Sequence, residues 1–190
     1  MLIVSENDEE VVKDVKVGNL TCNICFSLLI LWGYGRWRTI RTSSGEKRIR
    51  PRRARCKGCN VTHTLLPIGH FLRRRDDAQR IMSALLKKAD GISIENIADL
   101  LNIPFTTVRG WMRRFKSKAT EITNFFNDLA INLNASLNEF HVQSTPFSQA
   151  LESIGTAVIA SQIKFGIRED YEVVTLLSKG MLLSPSLQAA

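Results

Sequence analysis

Apolar residues recur at helical spacing through the second half of the chain. Ile94, Ile97, Ala98 and Leu101 fall at offsets 0, 3, 4 and 7, and Val108, Trp111, Met112 and Phe115 repeat that spacing. Each set therefore makes one face of a short helix. Ser93 supplies a side-chain cap for the first, and Asn102-Ile103-Pro104 is the turn between the two. A preceding helix is predicted over residues 78–89, capped by Asp76 or Asp77 and stopped by Gly91. Further on, Ile122, Phe125, Phe126, Leu129 and Leu133 predict a helix from residue 118 to 133. Ser144-Thr145-Pro146 starts another that runs through Leu151, Ile154, Val158 and Phe165, and a short apolar segment at 173–183 packs on it.

The first third reads differently. Residues 28–32 and 36–41 predict two strands, Ser43-Ser44-Gly45-Glu46 a turn, and residues 47–55 a third strand. Arg48, Arg50 and Arg52 recur every second residue and so share one face of that strand, as Arg36 and Arg38 do on the second. Pro51 suits an edge position, since it offers no N–H to a neighbouring strand.

All four cysteines fall in two C-x-x-C pairs, Cys22/Cys25 and Cys56/Cys59. Two intervening residues let one tight turn aim both sulfurs at a single tetrahedral ion, and two such knuckles make a closed four-sulfur site. The pairing, with no cysteine left over, predicts one structural Zn²⁺ held by Cys22, Cys25, Cys56 and Cys59. His63 and His70 are expected to be ordinary polar residues beside a site that already has four ligands. Gly58 relieves the second turn, whereas Asn23 and Phe26 stand where many ribbons carry Pro or Gly. The 30 residues between Cys25 and Cys56 exceed the usual spacing, so the strands between them form an enlarged basic hairpin. The fold class expected is mainly α with a small β zinc ribbon, followed by a trihelical helix-turn-helix and a C-terminal helical subdomain. The domain limits are 1–17 (an acidic extension), 18–70 (the ribbon), 71–118 (the helix-turn-helix) and 119–190 (the helical tail).

The 190-residue chain carries a net charge of +8. That charge is concentrated, because residues 36–118 hold 21 basic and six acidic residues. Such a patch points to a polyanion. The longest apolar run, Phe26 to Trp32 interrupted by Ser27, is far short of the roughly 20 residues a membrane span needs. The acidic residues after Met1-Leu2-Ile3-Val4 do not make a secretory leader, and a soluble cytoplasmic protein, nucleoid-associated, is expected.

The spacing within residues 94–115 is that of a helix-turn-helix. Ala98 is small where two helices approach, Asn102 tolerates a left-handed turn, and Val108 and Trp111 fill the angle between them. The outer face of the third helix carries Phe105, Thr106, Thr107, Arg109, Gly110 and Arg113. Its N-terminal part is expected in the major groove of duplex DNA, where Arg reads guanine and Thr an adjacent edge. Arg114, Lys116 and Lys118 are expected at phosphates, together with Arg36, Arg38, Arg48, Arg50 and Arg52 of the hairpin. Gly110 costs about 1 kcal/mol relative to Ala in a helix, and it is there either for close approach to DNA or because the helix merely tolerates it.

The runs Arg52-Arg53-Ala54-Arg55-Cys56-Lys57-Gly58-Cys59, Thr62-His63-Thr64-Leu65-Leu66-Pro67 and Thr107-Val108-Arg109-Gly110-Trp111-Met112-Arg113-Arg114-Phe115 resemble a bacterial domain-of-unknown-function family. That family pairs a zinc ribbon with a helix-turn-helix and is similar to the N-terminal DNA-recognition part of insertion-sequence transposases. The resemblance covers residues 18–118. It implies the four cysteines as ligands and Thr106, Arg109 and Arg113 as base readers.

Catalysis is not expected. Glu121, Asp128, Glu139, Glu152, Glu169, Asp170 and Glu172 lie on predicted helices and loops, without the strands a three-carboxylate metal site requires, and no phosphate loop or nucleophile motif is present. The expected role is a sequence-specific duplex-DNA-binding protein, either a transposon-associated recognition factor or a transcription regulator, whose C-terminal helices either bury the third helix or form a homodimer. Rival readings are an RNA-binding ribbon that stacks bases on Trp32, Tyr34 and Trp37, and an interaction module whose tail recruits a transposase or the transcription machinery. Trp32 and Trp37 more often pack within sheets. A dithiol oxidoreductase is disfavoured, because no helix follows either C-x-x-C to lower a thiol pKa.

Overall fold

The computed structural model describes residues 1–133, 145–184 and 187; Glu139 and Ser144 lie outside them. Those residues form a mixed α/β protein. The strands are β1 (Leu2–Val4), β2 (Leu29–Tyr34), β3 (Arg38–Thr42), β4 (Gly45–Ile49), β5 (Arg52–Cys56) and β6 (Thr62–Pro67). The helices are α1 (Asp8–Val17), α2 (Ala78–Ala89), α3 (Ile94–Leu101), α4 (Phe105–Lys116), α5 (Ala119–Leu133), α6 (Pro146–Phe165) and α7 (Asp170–Leu177).

One sheet has the order β1-β6-β5-β2, with β2–β5 and β5–β6 antiparallel and β1 joining β6 in parallel. The hairpin β3–β4 is a separate two-stranded sheet inserted between β2 and β5. Residues 47–55 are therefore two strands in different sheets, not one. The break falls at Pro51, which has no N–H to continue a ladder. Its carbonyl instead accepts from the Gly35 N–H at 2.8 Å.

The N-terminal segment is more than an acidic extension. Val4, Val11 and Val15 from β1 and α1 are buried with Cys22, Leu29, Ala54, Cys56 and Leu65 in one core. The acidic Asp8, Glu9 and Glu10 occupy the first turn of α1, where the helix dipole favours negative charge.

A second core begins at Phe71 and takes in α2 through α7. Ile122, Phe126 and Ala130 of α5 share it with Ala150, Ile154 and Ala157 of α6. Phe115 of α4 meets Phe147 of α6 edge to face, with ring centroids 4.8 Å apart. The C-terminal helices thus bury the back of the helix-turn-helix rather than forming a separate subdomain.

Asp76 clamps the hairpin to the helical part. Its carboxylate is 3% exposed, 2.6 Å from Arg41 of β3 and 3.6 Å from Arg80 of α2. Arg80 also donates to the carbonyls of Thr42 at 3.2 Å and Leu101 at 3.0 Å. Two backbone bonds, Arg41 N–H to Arg75 O and Asp77 N–H to Arg41 O, complete the join. Asp77 is the residue that caps α2, accepting from the Arg80 N–H at 2.8 Å.

Candidate metal centre and nucleic-acid interface

The two knuckles bring the cysteine sulfurs together, all within 4.8 Å of one another. Cys22 and Cys59 are 3.6 Å apart, and Cys25 and Cys56 3.3 Å. A zinc ion at about 2.3 Å from four tetrahedral sulfurs separates them by about 3.8 Å, so the set fits one such ion with a full shell. Backbone N–H groups point at the sulfurs, from Ile24 to Cys22 at 3.4 Å and from Gly58 to Cys56 at 3.3 Å. Such donors favour the thiolate, the form that binds metal. The Ser27 hydroxyl and backbone N–H lower the Cys25 thiol to about 6.

Gly58 is required by space. A Cβ there would sit 2.4 Å from Ser27 Oγ and 3.2 Å from Cys25 Sγ. The left-handed positions fall instead just after the second cysteine of each knuckle, at Phe26 (φ 58°) and Asn60 (φ 61°).

His63 is closer to the centre than its sequence context suggests. It is 2% exposed, with Nε2 3.3 Å from Cys22 Sγ. Burial lowers its pKa, which keeps the ring neutral beside the sulfur. His70 lies away from the cysteines, its Nδ1 3.0 Å from the Ile68 carbonyl.

The helix-turn-helix is built by three local devices. Ser93 Oγ accepts from the Asn96 N–H at 3.2 Å to start α3. Asn102 takes φ 48° to end it, and the Ile103 N–H then bonds Ala98 O at 2.9 Å. Pro104 precedes α4 without a side-chain cap, its fixed φ suiting the helix entry. Val108, Trp111, Met112 and Phe115 are buried, as their spacing requires. On the other side Phe105, Thr106, Arg109 and Arg113 are exposed, with Thr107 and Gly110 half-buried. Arg114 folds back to donate to Gly110 O at 3.0 Å. A Cβ on Gly110 would lie 3.0 Å from that guanidinium, the mobile end of a long side chain.

The hairpin face is an alternation of arginine and aromatic rings. Arg48 lies over Trp37 at 5.1 Å, Arg50 over Tyr34 at 5.1 Å, and Arg52 over Tyr34 at 4.6 Å. Arg55 covers Trp32 at 4.8 Å. Trp32, Tyr34 and Trp37 are thus at the surface, 42–57% exposed, rather than packed within the sheet. Arg36 and Arg38 are exposed. Arg52 is committed otherwise, since it makes a two-pronged ion pair with Asp8. That guanidinium holds the Asp8 carboxyl below the usual carboxylate range.

Sequence reasoning passed over Arg73, Arg74 and Arg75. The three line a cleft of about 470 Å³ with Trp37, Arg38 and Thr39. The signal was the basic run itself. What it borders depends on how the linker folds against β3.

Among the described residues no helix is long and apolar enough to cross a membrane. No curated protein and no solved structure matches the chain. Residues 74–121, which hold α2, α3 and α4, match the family model of a homeodomain-like domain. The chain therefore carries a DNA-binding type of helix-turn-helix beside a four-cysteine cluster that fits zinc.

Proposed function

We propose that this is a zinc-stabilised, sequence-specific duplex-DNA-binding protein. It would act as a transposon-associated recognition factor or a transcription regulator and perform no chemistry itself. The observation that carries the reading is the outer face of α4. Among the described residues the side chains of Arg109 and Arg113 are exposed and make no hydrogen bond or ion pair, while the opposite face is packed. Base edges in the major groove satisfy such groups, Arg to guanine and Thr106 to an adjacent edge. Arg36, Arg38, Arg48 and Arg50 would take phosphates and set register. Zinc, when bound, contributes no reaction and fixes β2 and β5 at the root of the hairpin. A homodimer would form on the apolar residues left outside the core, Ile159, Ile163, Phe165 and Ile167, which are 52–93% exposed.

Selection of bound duplexes from a random pool tests the reading. Wild-type protein is expected to enrich one motif. Arg109→Gln and Arg113→Gln should each relax one position of it, with discrimination reduced by about 1–3 kcal/mol. A pool that stays random for wild-type protein contradicts sequence-specific binding. The half-exposed Trp32, Tyr34 and Trp37 under their arginines favour one second reading, single-stranded RNA stacked on the ribbon. Competition between duplex DNA and single-stranded RNA of equal length separates the two.

A further inference from the structure

At the C-terminal end of α4 a cleft of about 360 Å³ opens between three parts of the chain that are distant in sequence. Arg73 and Arg74 come from the linker before α2, Arg114, Ser117 and Lys118 from the end of α4, and Ser184 from the C-terminal segment. Four cationic side chains thus line one cleft, and among the described residues no carboxylate lines it with them. Beside the cleft lies the carboxylate of Glu121, whose Oε2 is 3.5 Å from Lys118 Nζ and whose other oxygen accepts from the Leu187 N–H. One negative charge against four leaves a large positive excess in a partly enclosed space.

Two of the cations are also short of partners. Lys118 Nζ and Arg74 Nε are buried atoms without a hydrogen bond among the described residues, an arrangement that costs free energy unless something accepts from them. Burial and the charge of Arg114 together lower the pKa of Arg74. The helix dipole of α4 accounts for cations near its last carbonyls, and Arg114 does bond Gly110 O. It does not account for the linker arginines being brought there as well. Arg74 is held by a bond to Leu183 O, and Arg73 next to it takes a left-handed φ of 59°.

We propose that this cleft is a seat for a phosphate group. Several donors converging from different elements, three of them guanidinium forks, suit an anion with several acceptor oxygens better than a planar carboxylate. Ser117 and Ser184 add neutral donors at the wall. Arg73 and Arg74 line both this cleft and the one beside the hairpin, so a phosphodiester backbone leaving the seat would run toward Trp37 and Arg38. The backbone source of the phosphate rests on the DNA-binding reading. A free phosphorylated compound offers the same chemistry.

The test uses the full zinc-loaded chain in two arms. In the first, inorganic phosphate replaces chloride at constant ionic strength and Tm is followed. Wild-type protein should rise by several degrees more than Arg73→Gln or Arg114→Gln, which separates site binding from general salt effects. Arg73 is exposed, so its variant keeps the test usable where Arg114→Gln folds poorly. In the second arm, a random duplex is titrated with salt. Loss of one phosphate contact should flatten the log–log slope by about 0.9 in each variant. Either effect, lost in both variants, supports the seat, and the duplex effect assigns its source to DNA. A phosphate effect without duplex binding keeps the seat but removes the DNA reading. Duplex binding with unchanged slopes, and no phosphate effect beyond that of the variants, overturns the seat and leaves the DNA reading standing.

Discussion

Phe26 and Asn60 hold equivalent places, each directly after the second cysteine of its knuckle and each in the left-handed region. Asn accepts that conformation readily, whereas a bulky aromatic residue pays a steric penalty of about 1–2 kcal/mol. Phe26 is 79% exposed and recovers little of this by packing. Phe26→Gly should therefore stabilise the zinc-loaded protein by about 0.5 kcal/mol or more, after the extra freedom glycine gives the unfolded chain. Phe26→Ala, which keeps the penalty, should give no gain, and equilibrium unfolding in urea measures both. At this scale the ligands were legible because C-x-x-C is a local spacing that needs no tertiary information. His63 was not, because its approach to Cys22 depends on how β6 is registered against β5. The same is true of Arg52, whose partner Asp8 is 44 residues away.

Elements were legible where periodicity and caps agree. Helices α3 and α4 carry a buried stripe, a serine cap and a turn-tolerant asparagine, and the chain folds there as those signals dictate. The span of α6 follows the same logic. Strands β1 and β6 carried no comparable signal, since β1 has only three residues and is ordered by pairing with β6. Helix α1 hides behind its acidic first turn, with only Val11 and Val15 buried. The hairpin was legible as a hairpin, but its attachment was not, because Asp76 looked like a helix cap and instead joins Arg41 to Arg80. Removing that carboxylate leaves both guanidiniums without their shared partner. Asp76→Ala should cost about 3 kcal/mol in urea unfolding and expose β3–β4 to proteolysis before the helices. A variant as stable as wild type, with a protected hairpin, would show that the clamp does not hold the hairpin to the helical part.

Across the whole molecule, two cores carry several basic surfaces: the arginine–aromatic ribbon, the outer face of α4, and the two clefts lined by Arg73 and Arg74. The charge distribution along the sequence announced a basic middle segment, and the fold shows which of its members are free. Arg52 and Arg41 are tied up in ion pairs, while Arg36, Arg38, Arg109 and Arg113 are exposed. From sequence the apolar positions of the tail fit equally a contact surface and helices that bury the third helix, because periodicity alone cannot tell an external partner from an internal one; most lie in the core behind α4. The most direct test of DNA binding is the affinity of the zinc-loaded chain for a random-sequence duplex between about 50 and 200 mM salt. Contact with several phosphates predicts a steep linear fall of log K with log salt, about 0.9 per phosphate neutralised. Absent or salt-insensitive binding would contradict the account and leave the basic middle segment to another polyanion.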